Sequence, residues 1–107
     1  MTESYVIKRV KKRDGTIVLF DDTKITDAIF KAAKSVGGED YEKAKDLTKK
    51  VNGILDIFFK SHAIPDVEVI QDLIEKVLIE EGHAQTAKAF IIYRKQHQDL
   101  REGKSFA

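Results

Sequence analysis

The sequence predicts an α+β fold in which a small N-terminal β-hairpin or sheet caps a four-helix bundle. Three observations carry that expectation. Asp14-Gly15 separates two β-prone runs near the N-terminus. Four later segments repeat apolar residues at helical spacing. The connections between them are short, which favours packing as a bundle.

The hairpin comes first. Residues 5–13 are rich in Val, Ile and basic side chains, and residues 16–20 read TIVLF. Asp-Gly between two such runs is one of the stronger local signals for a tight reversal. The first helix follows within FDDTKITDAIFKAAKSVGG. Asp21, Asp22 and Thr23 can each cap it, because each offers a side-chain oxygen to the free N–H groups of the first turn. Ile25, Ile29, Ala32 and Val36 recur at helical spacing, and Gly37-Gly38 supplies the stop.

A second helix is expected over about residues 41–60, with Ala44, Leu47, Val51, Ile54, Leu55 and Phe58 on its inner face. It ends before SHAIP. Pro65 and Asp66 open a third helix, Asp66 being the better cap, with Val67, Ile70, Ile74, Val77 and Leu78 as its stripe. Gly82 separates it from a fourth, over about 83–101, carrying Ala84, Ala87, Phe90, Ile91 and Arg94. The reading is one domain over 1–101, with 102–107 as a tail or the start of a linker.

Composition narrows the function. A chain of 107 residues can bury one sizeable core. It has no cysteine, which excludes a disulfide framework, a thiolate zinc site and a thiol nucleophile. No apolar run approaches the ~18 residues needed to span a bilayer. The start lacks the charged-then-apolar layout of a secretion signal. The expectation is a soluble, cytoplasmic protein with no membrane partner. Nineteen Lys and Arg against eighteen Asp and Glu leave a formal charge of +1. Bulk charge therefore argues against a nucleic-acid coat.

The local charge is uneven. In KRVKKRDG (8–15), five of the first six residues are Lys or Arg. Such a cluster can be a solvated edge that discourages strand aggregation. It can also be an anion clamp, since Lys, Arg and the backbone N–H groups of a turn suit phosphate oxygens. Lys24 lies in the first turn of the first helix, where a cation opposes the macrodipole. It either pairs with Asp21 or Asp22, or meets a bound polyphosphate there. Gln71 interrupts the apolar stripe of the third helix. It is either a boundary residue bonded to backbone or water, or a reader of an adenine edge. Tyr93-Arg94 adds a ring and a fork of donors, although Arg near a helix C-terminus is ordinary dipole chemistry. No GxxxxGK[ST] motif is present, and His62, His83 and His97 show no metal-ligand spacing. Binding rather than catalysis is indicated.

Three blocks then coincide in order: VKKRDGTIVLFDDTKITDAIFKA (10–32), VEVIQDLIEKVLIEEG (67–82) and AKAFIIYRKQ (87–96). Together they resemble the ATP-cone, the regulatory nucleotide-binding module at the N-terminus of many ribonucleotide reductases. The resemblance covers about residues 5–100. It implies an ATP-cone-like fold with ATP or dATP held between hairpin and helices, accompanied by magnesium. It implies allosteric regulation, ATP permitting activity and dATP shutting it off through a change of quaternary structure. By the same resemblance, Lys12 and Arg13 contact the triphosphate and Asp14-Gly15 shape the turn. Lys24 reaches phosphate or ribose, Val10 and Ile25 flank the purine, and Val67 and Gln71 meet the nucleotide from the third helix. Arg94 and Lys88 close the pocket from the fourth. Val18 departs from the acidic residue of some reductase cones, and Gln71 from the His of others. The implied partner is the catalytic domain or subunit of a ribonucleotide reductase, with a homo-oligomer possible. The chain contains no catalytic barrel or radical-site motif, so it reads as a regulatory domain or a free-standing cone. The alternative is a nucleic-acid-binding module that uses the basic hairpin.

ATP and dATP differ by one hydroxyl, and one hydrogen bond contributes about 0.5–1.5 kcal/mol net. Reversing a population from 1:99 to 99:1 takes about 5.5 kcal/mol. The expectation is that an interface with another subunit amplifies a small local difference.

Overall fold

Asp14-Gly15 reverses the chain between β1 (Arg9–Lys11) and β2 (Ile17–Leu19), which pair antiparallel with Val10 opposite Val18. The computed structural model describes residues 7–59 and 63–101, apart from the side chains of Asp99 and Arg101. The turn is closed by Lys12 N donating to Thr16 O at 2.8 Å and Gly15 N donating to Lys12 O at 2.9 Å. Asp14 Oδ1 accepts from Thr16 N at 2.9 Å. Gly15 has φ 91°, a left-handed conformation that costs a side-chain-bearing residue. The period of two in β1 buries Val10 and exposes Arg9 and Lys11. On β2 only Val18 turns partly inward, and Ile17 and Leu19 are exposed. Both strands are shorter than expected, and the part of the expected first strand before Ile7 lies outside the described residues, as do Ser61, His62 and the tail 102–107.

Four helices follow: α1 (Asp22–Ser35), α2 (Tyr41–Phe58), α3 (Val67–Glu80) and α4 (Ala84–Arg101). Asp21 is the cap of α1, accepting from Thr23 N at 3.1 Å and Thr23 Oγ1 at 2.6 Å. Asp40 caps α2 through Lys43 N at 3.0 Å. Gly37 (φ 95°) follows α1, and Gly38 N donates to Ala33 O at 2.8 Å, which takes up one of the carbonyls left free at the helix end.

The helices pack in a cycle. α1 lies against α2 and α4, and α3 lies against α2 and α4. Ile25, Ile29, Leu47, Val51, Leu55, Ile74, Leu78 and Phe90 are buried together, and Ile7 and Val10 of the hairpin region join them. Between α1 and α2 the core also includes polar residues. Thr26 and Thr48 share a buried hydroxyl contact of 2.7 Å, and Asn52 Nδ2 donates to Asp22 Oδ2 at 3.0 Å.

Some expected core residues lie elsewhere. Val36 is the residue after α1 and is 42% exposed, so the stripe of that helix stops at Ala32. Phe58 is 72% exposed. The chain leaves helical geometry at Phe59 (φ −123°, ψ 139°), and that ring packs on the core instead. Ile91 is exposed because the buried face of α4 is centred toward Phe90 and the largely buried Arg94, and Ile91 lies about 100° round the helix from Phe90. Ala84 is exposed in the first turn of α4.

Candidate functional site

The hairpin is tied to the start of α3 by backbone. Lys11 N donates to Pro65 O at 2.9 Å, and Lys11 bridges to Asp66 in parallel fashion. Pro65 lacks an N–H but its carbonyl can accept, so the residue just before the α3 cap also holds the edge of β1. This attachment creates an open groove of about 380 Å³ lined by Lys11, Lys12, Arg13, Gly15, Val67 and Glu68, with Asp66 at its edge. Asp66 makes no side-chain capping bond, so the positive end of α3 keeps first-turn N–H groups for other acceptors.

Two carboxylates stand among these cations. Asp66 Oδ1 lies 4.0 Å from Lys11 Nζ. Glu68 Oε2 accepts from Arg13 Nη2, and the other oxygen of Glu68 accepts from Arg94 Nη2 at 2.7 Å. Arg94 also donates to Asp72 at 2.8 Å, to Glu75 at 2.6 Å and to the Glu68 carbonyl at 3.3 Å. Its side chain is 16% exposed. Burial works against its charge, but the three carboxylates more than offset that and push the guanidinium pKa up. Arg94 is therefore the clamp between α3 and α4.

The expected site residues fall into several places. Lys12, Arg13, Gly15 and Val67 share the hairpin groove, with Asp14 in the turn. Val10 and Ile25 are part of the apolar core. Lys24 is exposed in the first turn of α1, close enough to Asp21 to help hold that carboxyl below the usual range, after the two Thr23 hydrogen bonds. Asp14 is likewise held low, chiefly by Thr16. Gln71 follows Val67 by one turn, and its Oε1 is buried without a hydrogen-bond donor among the described residues. Among the described residues, Arg94 connects to Arg13 through Glu68. Lys88 stands apart, in a larger groove of about 600 Å³ between α1 and α4. That groove is mostly apolar, and the ammonium of its Lys31 lies 5.1 Å from the centre of the Tyr93 ring. A polyanion needs converging cations, so the smaller hairpin groove is the better candidate.

Sequence reasoning missed Lys11, Asp66 and Glu68. A signal existed for Glu68: with Asp72 and Glu75 it forms an i, i+4, i+7 acidic stripe, the pattern that one long cation on a facing helix can satisfy. Among the described residues no group of three or more His, Cys, Asp or Glu is arranged to hold a metal ion, and no helix is long and apolar enough to cross a membrane.

Fold and groove together define a small α+β module that presents a cationic hairpin to the start of a helix. The chain belongs to the ATP cone domain family, whose model matches residues 8–99. It is 42% identical over 104 residues to the vitamin B12-dependent ribonucleoside-diphosphate reductase of Thermoplasma acidophilum, covering 92% of this chain and 13% of that protein. It is 36% identical over 97 residues to the reductase of the same description from Mycobacterium tuberculosis (91% and 13%). It is 31% identical over 93 residues to the anaerobic ribonucleoside-triphosphate reductase of Salmonella typhimurium (87% and 12%). The chain thus spans about an eighth of the length of these relatives.

Proposed function

We propose that this chain is an allosteric regulatory domain that binds an adenine nucleoside triphosphate, ATP or dATP, where the hairpin caps the helices. The observation that carries the reading is the meeting of Lys11, Lys12 and Arg13 with the positive end of α3 in one groove. Charge-assisted hydrogen bonds from Lys12 and Arg13 suit the phosphates, and the uncapped first-turn N–H groups of α3 add donors. Lys24 supplies a further cation from α1. The orphaned Oε1 of Gln71 suits a ligand with a hydrogen-bond donor, such as the exocyclic amine of adenine. Magnesium, when bound, is held mainly by phosphates and water and offsets phosphate charge.

Val10 and Ile25 form the apolar wall nearest the base in this reading. Arg94 acts through Glu68 rather than by touching the ligand, and Lys88 takes no part. The output is occupancy, passed to the catalytic part of a ribonucleotide reductase, either within one polypeptide or as a separate subunit.

Calorimetric titration of ATP, dATP and GTP, with and without magnesium, tests the proposal. Wild type binds the adenine nucleotides, and Lys12→Ala with Arg13→Ala weakens binding at least about tenfold, since each lost charge-assisted bond contributes about 1.5–3 kcal/mol. Equal binding of GTP would contradict base reading by Gln71. Tight binding of DNA or RNA in place of nucleotides, steeply weakened by salt, would favour a nucleic-acid module instead.

A further inference from the structure

Glu68 occupies an unusual position. It stands in the first turn of α3, inside the groove that holds Lys11, Lys12 and Arg13. One of its oxygens bonds Arg13 of the hairpin and the other bonds Arg94 of α4. Arg94 has two further carboxylate partners, Asp72 and Glu75. Arg13 has Glu68 as its ion-pair partner among the described residues. Both Arg13 and Glu68 are about one-third exposed, so solvent and dissolved anions reach the pair.

We propose that Glu68 is a built-in competitor for the polyphosphate, and that a bound ligand displaces it from Arg13. The inference rests on the nucleotide reading above and deepens it. A carboxylate carries one negative charge and two acceptor oxygens. A triphosphate carries more of both, so it replaces Glu68 on Arg13, whereas a single weak anion does not. Glu68 thereby sets a charge threshold for entry and favours polyphosphates over monoanions. Once released, the Glu68 carboxylate turns wholly to Arg94, which keeps Asp72 and Glu75. Ligand arrival at the hairpin is thus passed to the α3–α4 clamp through one side chain. The apparent affinity of the free groove is lowered by the fraction of molecules in which Arg13 is engaged.

The test is a titration of magnesium ATP, and separately of inorganic tripolyphosphate, into the 107-residue chain, Glu68→Gln and Asp72→Asn. Glu68→Gln should bind both ligands about three- to tenfold tighter, the range expected for releasing a partly exposed ion pair and removing its repulsion. Asp72→Asn removes the same charge one turn away without touching Arg13, and should change affinity less than about twofold. The side-chain Nε–Hε resonances of Arg13 and Arg94 give a second readout on the unmutated chain, which stands whether or not the variants fold. ATP should shift both, and in Glu68→Gln should shift Arg13 alone. Unchanged or weaker binding by Glu68→Gln, equal tightening by Asp72→Asn, or an Arg94 resonance indifferent to ATP would overturn the competitor role while leaving the nucleotide reading intact. If neither wild type nor Glu68→Gln binds either ligand, the nucleotide reading falls and the competitor role falls with it.

Discussion

Asp14 and Asp21 show how single side chains fix the cationic end of the molecule. Each carboxylate accepts hydrogen bonds two residues ahead, from Thr16 in the hairpin turn and from Thr23 at the start of α1. Those bonds hold both carboxyls below the usual aspartate range. A depressed folded value means the stabilising contribution is present above the unfolded pKa and is lost as pH falls through the folded one. The turn and the cap should therefore hold at neutral pH and loosen progressively below about pH 4. The amide resonances of Thr16 and Thr23 followed through an acid titration check this, and a transition above pH 5 would contradict it. Asp40 caps α2 by accepting from Lys43 N. Asp40→Ala should lower unfolding free energy by about 1 kcal/mol in urea. The turn at Asp14 and the cap at Asp21 were legible in the sequence, because a cap or a turn needs only its own next few residues, whereas Asp40 is not singled out there. The cap of α3 was legible only in part. Asp66 stands at the expected position, yet its backbone pairs with Lys11 and its carboxylate faces that lysine.

At the scale of elements, the α1–α2 contact is the least expected. Its residues read as a helical stripe of Ala, Leu, Val and Ile, but Thr26, Thr48 and Asn52 are buried within it. Thr48 Oγ1 donates to Ala44 O at 2.9 Å, which leaves its lone pairs to accept from Thr26. Both hydroxyls are satisfied in series, so two polar residues cost little where they lie. Thr26→Val and Thr48→Val should each destabilise by about 1 kcal/mol, and the double substitution by less than their sum, since the contact the two hydroxyls share is lost only once. Urea unfolding of the four proteins in that cycle measures it, and strict additivity would show that the two residues do not interact. The sequence gives no sign of this pairing, because Thr at a helical i+4 position is equally at home facing water.

For the whole molecule, the decisive geometry is the hairpin docked on the start of α3 while Arg94 joins α3 to α4. Hairpin and clamp meet at Glu68, so the candidate groove and the helix packing are one connected structure. A single 2′-hydroxyl contributes too little to switch such a domain completely by itself. The chain alone should therefore bind ATP and dATP alike, with no change in its sedimentation. Robust assembly driven by dATP in this chain alone would show that no further partner is needed to amplify the difference.

The element order, the hairpin turn, the caps of α1 and α2 and most of each buried stripe were set by the sequence itself, because turns, caps and periodicity act over four residues or fewer. Lys12, Arg13 and Gly15 stand out in the sequence as a basic turn, and Val67 is named only through the family resemblance; the structure lines one groove with all four. Only the tertiary structure decided that Glu68 stands between Arg13 and Arg94, residues 55 and 26 positions away along the chain. It alone put Lys88 in a different groove, and turned Phe59 rather than Phe58 toward the core. The physical reason is that periodicity tells which face of a helix is buried or charged. What that face meets depends on how the helices cross and on where a connecting strand docks, and no local pattern encodes that.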